Sequence, residues 1–356
     1  MPLGSGPIKA LAILQMPGLS RLMLNAYGIA DNVLVEHPAD ADQSVLAASV
    51  WLDLVEPTYD EEKRVEAALG IDIPTRGELE EIEASSRLYQ DDDATFMTAT
   101  LIRRGEDDRP EASPVTFVVK GKQLITIRYH HPQAFPVYVK QAMRHATANS
   151  SWGIFISLVE AVVDRAADHL ERAGAIIDET SKQVFSTSLV KRREDARKRK
   201  KPKNLEELLT NVGEEGDFTS KMRESLVSVG RMVAYAQSIV DQTRDTKEGK
   251  DNKARLKTVQ RDIASLTDHS SFLSAKISFL LDAVLGMISI EQNAIIKIFT
   301  IASVVFLPPT LVASIYGMNF KMMPELDWEW GYPFGIALMI MSALAPLLWF
   351  KRRGWL

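Results

Sequence analysis

The sequence contains no cysteine, so it can form neither a disulfide framework nor a thiolate metal site. This fits a reducing compartment. Histidine is scarce, with six in all, and there is no HExxH or His-x-His pair, which argues against a zinc enzyme. No GxGxxG, Gly-Lys-Ser, Gly-Lys-Thr or Gly-x-Ser-x-Gly occurs, so no nucleotide loop or nucleophile elbow is present and the chain is not expected to be an enzyme. The net charge of −5 does not suit a general nucleic-acid binder, and no nucleic acid is expected as a partner. Residues 1–9 lack a long apolar core, so no signal peptide is expected.

The most informative lack is of charge near the end of the chain. Mean hydropathy is close to neutral, but that average hides a charged majority and a very apolar final portion. Ala294 to Tyr316 reads AIIKIFTIASVVFLPPTLVASIY, with Lys297 as its single charge. Tyr332 to Phe350, YPFGIALMIMSALAPLLWF, has none. About 20 apolar residues cross a bilayer as a helix, so each stretch predicts a span. The alternative is a pair of helices buried in a soluble core. Trp328, Trp330 and Tyr332 suit the boundary between water and lipid.

Charges flanking the second stretch set the orientation. Lys351, Arg352 and Arg353 follow it directly, and basic residues stay inside. Both termini and the large N-terminal part are therefore expected in the cytoplasm, and the short loop 317–331 outside. Glu325, Asp327 and Glu329 in that loop face a single Lys321, and an acidic mouth concentrates cations. Each of these carboxylates alone reads equally well as an ordinary solvated turn residue.

Two helices cannot enclose an ion path, so a conducting protein of this kind must place several copies around one axis. The first stretch carries the polar side chains. Asn293, Thr300, Ser303, Thr310 and Ser314 recur at helical spacing toward one broad face, which predicts pore lining. The competing reading is that the hydroxyls bond back to their own helix. Pro308 and Pro309 remove backbone donors and should bend the segment.

The sequence Tyr316-Gly317-Met318-Asn319-Phe320, then Met323-Pro324-Glu325-Leu326, Trp330-Gly331-Tyr332-Pro333 and the basic chain end resembles the CorA family of magnesium transporters. Gly-Met-Asn alone is a weak signal. Placed at the end of the first of two C-terminal spans and followed by Met-Pro-Glu-Leu, it is specific. The likeness extends upstream to Trp51–Thr58, Leu69–Thr75, Ile82–Tyr89 and Leu281–Ala283, so it covers nearly the whole chain. It implies a homopentamer with a cytoplasmic funnel in a bacterial inner membrane, in contact with lipid. It also implies influx of Mg²⁺, with Co²⁺ and Ni²⁺ as further ions, driven by the membrane potential and gated by cytoplasmic Mg²⁺.

The resemblance further implies that Gly317, Met318 and Asn319 form the selectivity filter. Mg²⁺ holds its waters tightly and demands octahedral geometry, and a ring of Asn carbonyls can accept hydrogen bonds from that water shell. Gly317 is expected to allow a sharp turn. Met318 is expected to pack behind the turn, because a thioether is too soft for Mg²⁺. By the same resemblance Asn293 is the inner polar ring, and Ile296, Phe299 and Leu307 form apolar constrictions that can block a hydrated ion by dewetting. Plain interhelical packing is the competing reading for each.

The soluble part predicts an α+β membrane protein with an N-terminal α/β/α domain, a long helical stalk and two terminal spans. The divisions expected are 1–132, a helical region 133–253 with a basic connection at 191–203, a stalk continuing into the first span over 254–316, the loop 317–331, the second span 332–350 and a basic tail 351–356. Val115–Val119 and Leu124–Tyr129 flank Gly121, which predicts a hairpin. Asp60–Leu69 and Arg76–Ser86 predict helices, with a capping box at Thr75 and Glu78. The run 191–203 is more basic than the resemblance implies for that tip. It reads as a solvated connection, with a nucleic-acid or anionic-lipid contact as the alternative. Regulatory Mg²⁺ is expected at carboxylates brought together between subunits, with Asp91, Asp92, Asp93, Asp262 and Asp268 as candidates; each taken singly reads as an ordinary solvated charge. Two other functions compete: a zinc transporter of the related ZntB type and a non-conducting metal sensor or scaffold.

Overall fold

The computed structural model describes residues 24–38, 42–81, 83–104, 110–145, 150–190, 205–243, 246–318, 323–324 and 328–354. The basic run 191–203 lies outside the described residues. The chain divides into two units, Met1–Ser181 with Asn211–Ile277, and Lys182–Thr210 with Ser278–Leu356.

The first unit opens with β1 (Leu24–Ala30) and β2 (Val33–His37). Their two-residue turn places Asp31 and Asn32 at φ 54° and 61°, the left-handed pair that a tight hairpin needs and that Asp and Asn tolerate. Then come α1 (Gln43–Ala48), β3 (Trp51–Val55), α2 (Tyr59–Leu69), α3 (Arg76–Glu80) and α4 (Ala84–Arg87). The strands β4 (Leu88–Asp91), β5 (Ala94–Arg104), β6 (Pro110–Lys120) and β7 (Gln123–Arg128) complete the sheet. Its order is β2-β1-β3-β7-β6-β5-β4. The β3–β7 pair is parallel and its neighbours are antiparallel.

Side chains alternate across this sheet, so each face builds its own core. Trp51, Met97, Val115, Phe117 and Leu124 pack on one face with Phe135, Phe155, Val229 and Val259. These helical partners come from α5 (Ala134–Ala142), α6 (Ser151–Val190), α7 (Leu205–Val240) and α8 (Lys247–Tyr316). Leu52, Leu54, Val118, Ile125 and Ile127 pack on the other face against Leu46, Val65 and Leu79 of the short helices. The result is the α/β/α layering that the sequence predicts.

Local signals set several boundaries. Thr58 and Glu61 form a capping box at the start of α2, as Thr75 and Glu78 do for α3. Gly121, at φ 55°, makes the β6–β7 turn. The single helix expected over Arg76–Ser86 is instead two short ones. Glu81 ends α3 in an extended conformation at ψ 139°, and its carbonyl accepts a hydrogen bond from the Arg87 Nε at 2.5 Å.

In the second unit, Val184, Leu208 and Val284 form a small buried cluster with Leu205, Leu209, Met287 and Ile288 packed on it. Helix α8 runs unbroken from Lys247 to Tyr316, through Gly286, Pro308 and Pro309. Helix α9 (Gly331–Arg352) follows the loop.

Candidate functional site

Past Ile288, α8 has no buried residue, and α9 buries only Gly331, Gly335 and Phe350. The most apolar stretch of α8 has none of its length buried, and that of α9 only 11%. Ile295, Ile298, Phe306 and Leu311 stand exposed on α8, as do Ile340, Met341 and Leu348 on α9. Apolar surface this continuous does not persist in water. Both helices are long and apolar enough to cross a membrane, and their exposure overturns the alternative of two helices buried in a soluble core.

The side chains expected to line a pore share one face of α8. At about 100° per residue, Asn293, Ile296, Phe299, Thr300, Ser303, Leu307, Thr310, Ser314 and Gly317 fall within an arc of roughly 120°. All are exposed within the chain. Polar and apolar levels alternate along this face: Asn293, then Ile296 and Phe299, then Thr300 and Ser303, then Leu307, then Thr310 and Ser314. Two hydroxyls also bond back to their own helix. Thr300 Oγ1 donates to the Ile296 carbonyl and Thr310 Oγ1 to the Phe306 carbonyl, each at 2.8 Å. Each such oxygen keeps its lone pairs free to accept from water.

Gly317 closes the end of α8. Its N–H continues the helical ladder to the Ala313 carbonyl at 2.9 Å, and the Met318 N–H closes a tighter turn on Ile315 at 3.2 Å. Gly317 is not among the glycines of positive φ, so no sharp left-handed turn occurs there. A Cβ at Gly317 would lie 3.1 Å from the Ala313 carbonyl oxygen, a close approach to the preceding helical turn. Met318 is 48% exposed among the described residues. Asn319, Glu325 and Asp327 lie outside the described residues. Glu329 is exposed, two residues before α9, where the Trp328 and Phe334 rings meet at 5.9 Å.

The carboxylates proposed for regulation are not gathered within one chain. Asp91, Asp92 and Asp93 make the β4–β5 turn, with Asp92 at φ 48° and Asp93 paired to Lys120 at 3.1 Å. A hairpin turn alone accounts for aspartates here. Asp262 and Asp268 are exposed on α8. Asp164 lies near Asp262 and near Glu160 and Asp168, which are paired to Arg255 and Arg165. Burial first, then Glu160, Asp168 and Asp262, push the Asp164 carboxyl above its ordinary value. Among the described residues no group of three or more His, Cys, Asp or Glu could hold a metal ion.

A polar network that the sequence reading did not single out lies in the sheet. Asp53, 2% exposed, faces Arg128, 6% exposed, across the parallel β3–β7 pair. Arg128 donates to both Asp53 oxygens at 3.0 and 2.8 Å, Thr126 Oγ1 donates to Asp53 at 2.7 Å, and Trp51 Nε1 donates to Thr126 at 3.0 Å. The sequence signal for it is a lone aspartate inside the apolar strand Trp51–Val55.

Residues 47–352 match the family described as CorA-like Mg²⁺ transporter protein. The magnesium transport protein CorA of Haemophilus influenzae is 35% identical over 335 residues, covering 94% of this chain and 100% of the relative. That of Salmonella typhimurium is 37% identical over the same length and coverage. In structure, the complete CorA magnesium transporter of Methanocaldococcus jannaschii matches with a TM-score of 0.66 at 18% identity, covering 95% of this chain and 100% of that one. The full-length CmaX protein matches at 0.58 and 14% identity, covering 95% and 99%. These matches span both the layered sheet and the two exposed apolar helices, and this chain belongs to the CorA-like Mg²⁺ transporter family.

Proposed function

We propose that the chain is one subunit of a membrane channel that admits Mg²⁺, with Co²⁺ and Ni²⁺ as further ions, down the membrane potential. The observation that carries this reading is its alignment, over the full length of relatives named as magnesium transport proteins, at 35% and 37% identity. The geometry supports it. Helices that bury so little within one chain call for lipid on one side and copies of themselves on the other. A pentamer in the bacterial inner membrane, with both termini and the layered domain in the cytoplasm, is the arrangement we propose from the resemblance and the basic chain end.

The alternating face of α8 would then line the axis. Asn293 forms the inner polar ring, Ile296, Phe299 and Leu307 the constrictions, and Thr300, Ser303, Thr310 and Ser314 the hydroxyl rings between and above them. Neutral oxygens exchange hydrogen bonds with a hydrated ion without holding it, as conduction requires. Gly317, Met318 and Asn319 form the outer filter, and Glu325, Asp327 and Glu329 draw cations to it.

Gating by cytoplasmic Mg²⁺ rests on the carboxylates of the layered domain and of α8. Like charges repel, and a divalent ion between subunits relieves that repulsion. Asp91, Asp92, Asp93, Asp262 and Asp268 are the candidates, with Asp262 and Asp268 on α8. Millimolar Mg²⁺ is expected to protect the layered domain from protease. Identical digestion with and without Mg²⁺ counts against it.

The reading is tested in proteoliposomes loaded with a Mg²⁺ dye or a Zn²⁺ dye under an inside-negative potential. Mg²⁺ entry through the purified protein is expected. Zn²⁺ entry alone would make it a zinc transporter, and no flux of either ion would make it a sensor or scaffold.

A further inference from the structure

A basic groove runs along the outer edge of β5. Strand β4 pairs only with Ala94–Met97, whereas β5 continues to Arg104, paired throughout on its other side with β6. Past Met97 the outer edge is held by helix α7. The Thr100 N–H donates to Ser228 Oγ at 3.0 Å, and Ser225 Oγ donates to the Thr100 carbonyl at 2.7 Å. Where the short strand stops and the helix takes over, a cavity of about 500 Å³ opens, lined by Arg87, Leu88, Arg223, Glu224, Val227 and Arg231 among others.

The charges around this cavity are unbalanced. Arg87 is held in place, its Nε on the Glu81 carbonyl at 2.5 Å and its Nη1 on Thr100 Oγ1 at 3.1 Å. Burial first, then the nearby Arg231 guanidinium, depress it from its ordinary value, so two cations face one another there. Among the described residues no carboxylate forms an ion pair with Arg223 or Arg231, and Glu224 lines the same cavity without pairing to either. Guanidinium forks match the oxygens of phosphate in both charge and geometry. No aromatic side chain is among the lining residues, so nothing offers a stacking surface for a base. A volume in the range of small-molecule sites, about 300–1,000 Å³, leaves room for more than one phosphate.

We propose that this groove binds a linear polyphosphate anion, free or as the phosphate chain of a nucleotide, with Arg87 as the fixed fork and Arg223 and Arg231 supplying the further guanidiniums. Glu224 opposes the anion and limits its affinity. The site lies wholly within the layered unit and does not depend on the ion-conduction reading.

The test is calorimetric titration of the purified full-length protein with sodium tripolyphosphate, in chelator and at an ionic strength of about 0.05 M, where screening is weak. Saturable binding at one site per chain is expected. Arg223 and Arg231 are exposed, so Arg223→Gln/Arg231→Gln spares the fold, and it should weaken binding at least about tenfold through lost charge-assisted hydrogen bonds. Lys140→Gln/Arg144→Gln removes the same charge from exposed positions in and just after the last turn of α5 and should leave binding unchanged. Glu224→Gln should tighten it. ATP that displaces tripolyphosphate identifies a nucleotide as the source of the phosphates, and ATP that does not identifies free polyphosphate. Absence of saturable binding, or equal weakening by the two double variants, overturns the proposal.

Discussion

Asp53→Ala is the substitution that most directly probes the layered domain. Asp53 and Arg128 are 2% and 6% exposed, and their bidentate contact spans the parallel strands at the centre of the sheet. Removing the carboxylate leaves a buried guanidinium with the His130 carbonyl at 2.9 Å, the His131 ring nitrogen at 3.5 Å and the Phe135 ring at 4.6 Å. It also takes away the acceptor of Thr126 Oγ1. An uncompensated buried charge of this kind costs about 3–5 kcal/mol, a large share of the ~5–15 kcal/mol by which domains are stable. For a unit of this size that is a fall of roughly 6–20 °C in Tm, read by thermal unfolding of the purified protein. Asp53→Ala/Arg128→Met removes both charges and should recover much of the loss, because the desolvation cost of Arg128 goes with it. An unchanged Tm for Asp53→Ala, or a double variant no more stable than the single one, refutes the reasoning.

Gly317→Ala sets a methyl group 3.1 Å from the Ala313 carbonyl, where the end of α8 meets the proposed filter; a protein that still assembles but conducts Mg²⁺ less well in proteoliposomes is expected. Thr300→Val keeps shape and removes an oxygen already bonded to its own helix, so assembly should be unchanged and Mg²⁺ flux reduced, while Thr300→Ser retains flux. Asp164 is held above its ordinary 3.8, by burial first and then by neighbouring carboxylates, so its deprotonated form weighs against the fold. Asp164→Asn should therefore raise Tm near about pH 7, and its advantage should vanish as the pH falls below that ordinary value, followed by thermal unfolding across pH.

Local chemistry was legible in the sequence. The two terminal helices show as stretches almost without charge, because hydrocarbon excludes charge whatever the tertiary context. The capping box at Thr75 and the turn at Gly121 show because each rests on residues a few positions apart. The β1–β2 turn was as local, and the Asp31-Asn32 pair could have given it away. Long-range features were hidden. Asp53 and Arg128 lie 75 residues apart, and only the parallel register of β3 on β7 makes them partners. The arginine groove needs α7 to replace a missing strand beside β5, which no spacing in the chain reveals. Gly317 was legible from the Gly-Met-Asn sequence, but its non-positive φ and its approach to the Ala313 carbonyl were not. The break between α3 and α4 carries neither proline nor glycine, and so periodicity ran through it.

We propose that the exposed α8 face and the Gly-Met-Asn sequence at its end form an ion path. Its most direct test is Mg²⁺ entry into proteoliposomes by Asn319→Ala, alongside the unsubstituted protein at equal reconstituted amount and with the same oligomeric mass by size exclusion with light scattering. Robust Mg²⁺ entry through the unsubstituted protein and its near-complete loss in Asn319→Ala are the expected results. Equal Mg²⁺ entry through both, from assemblies of the same mass, would contradict the account.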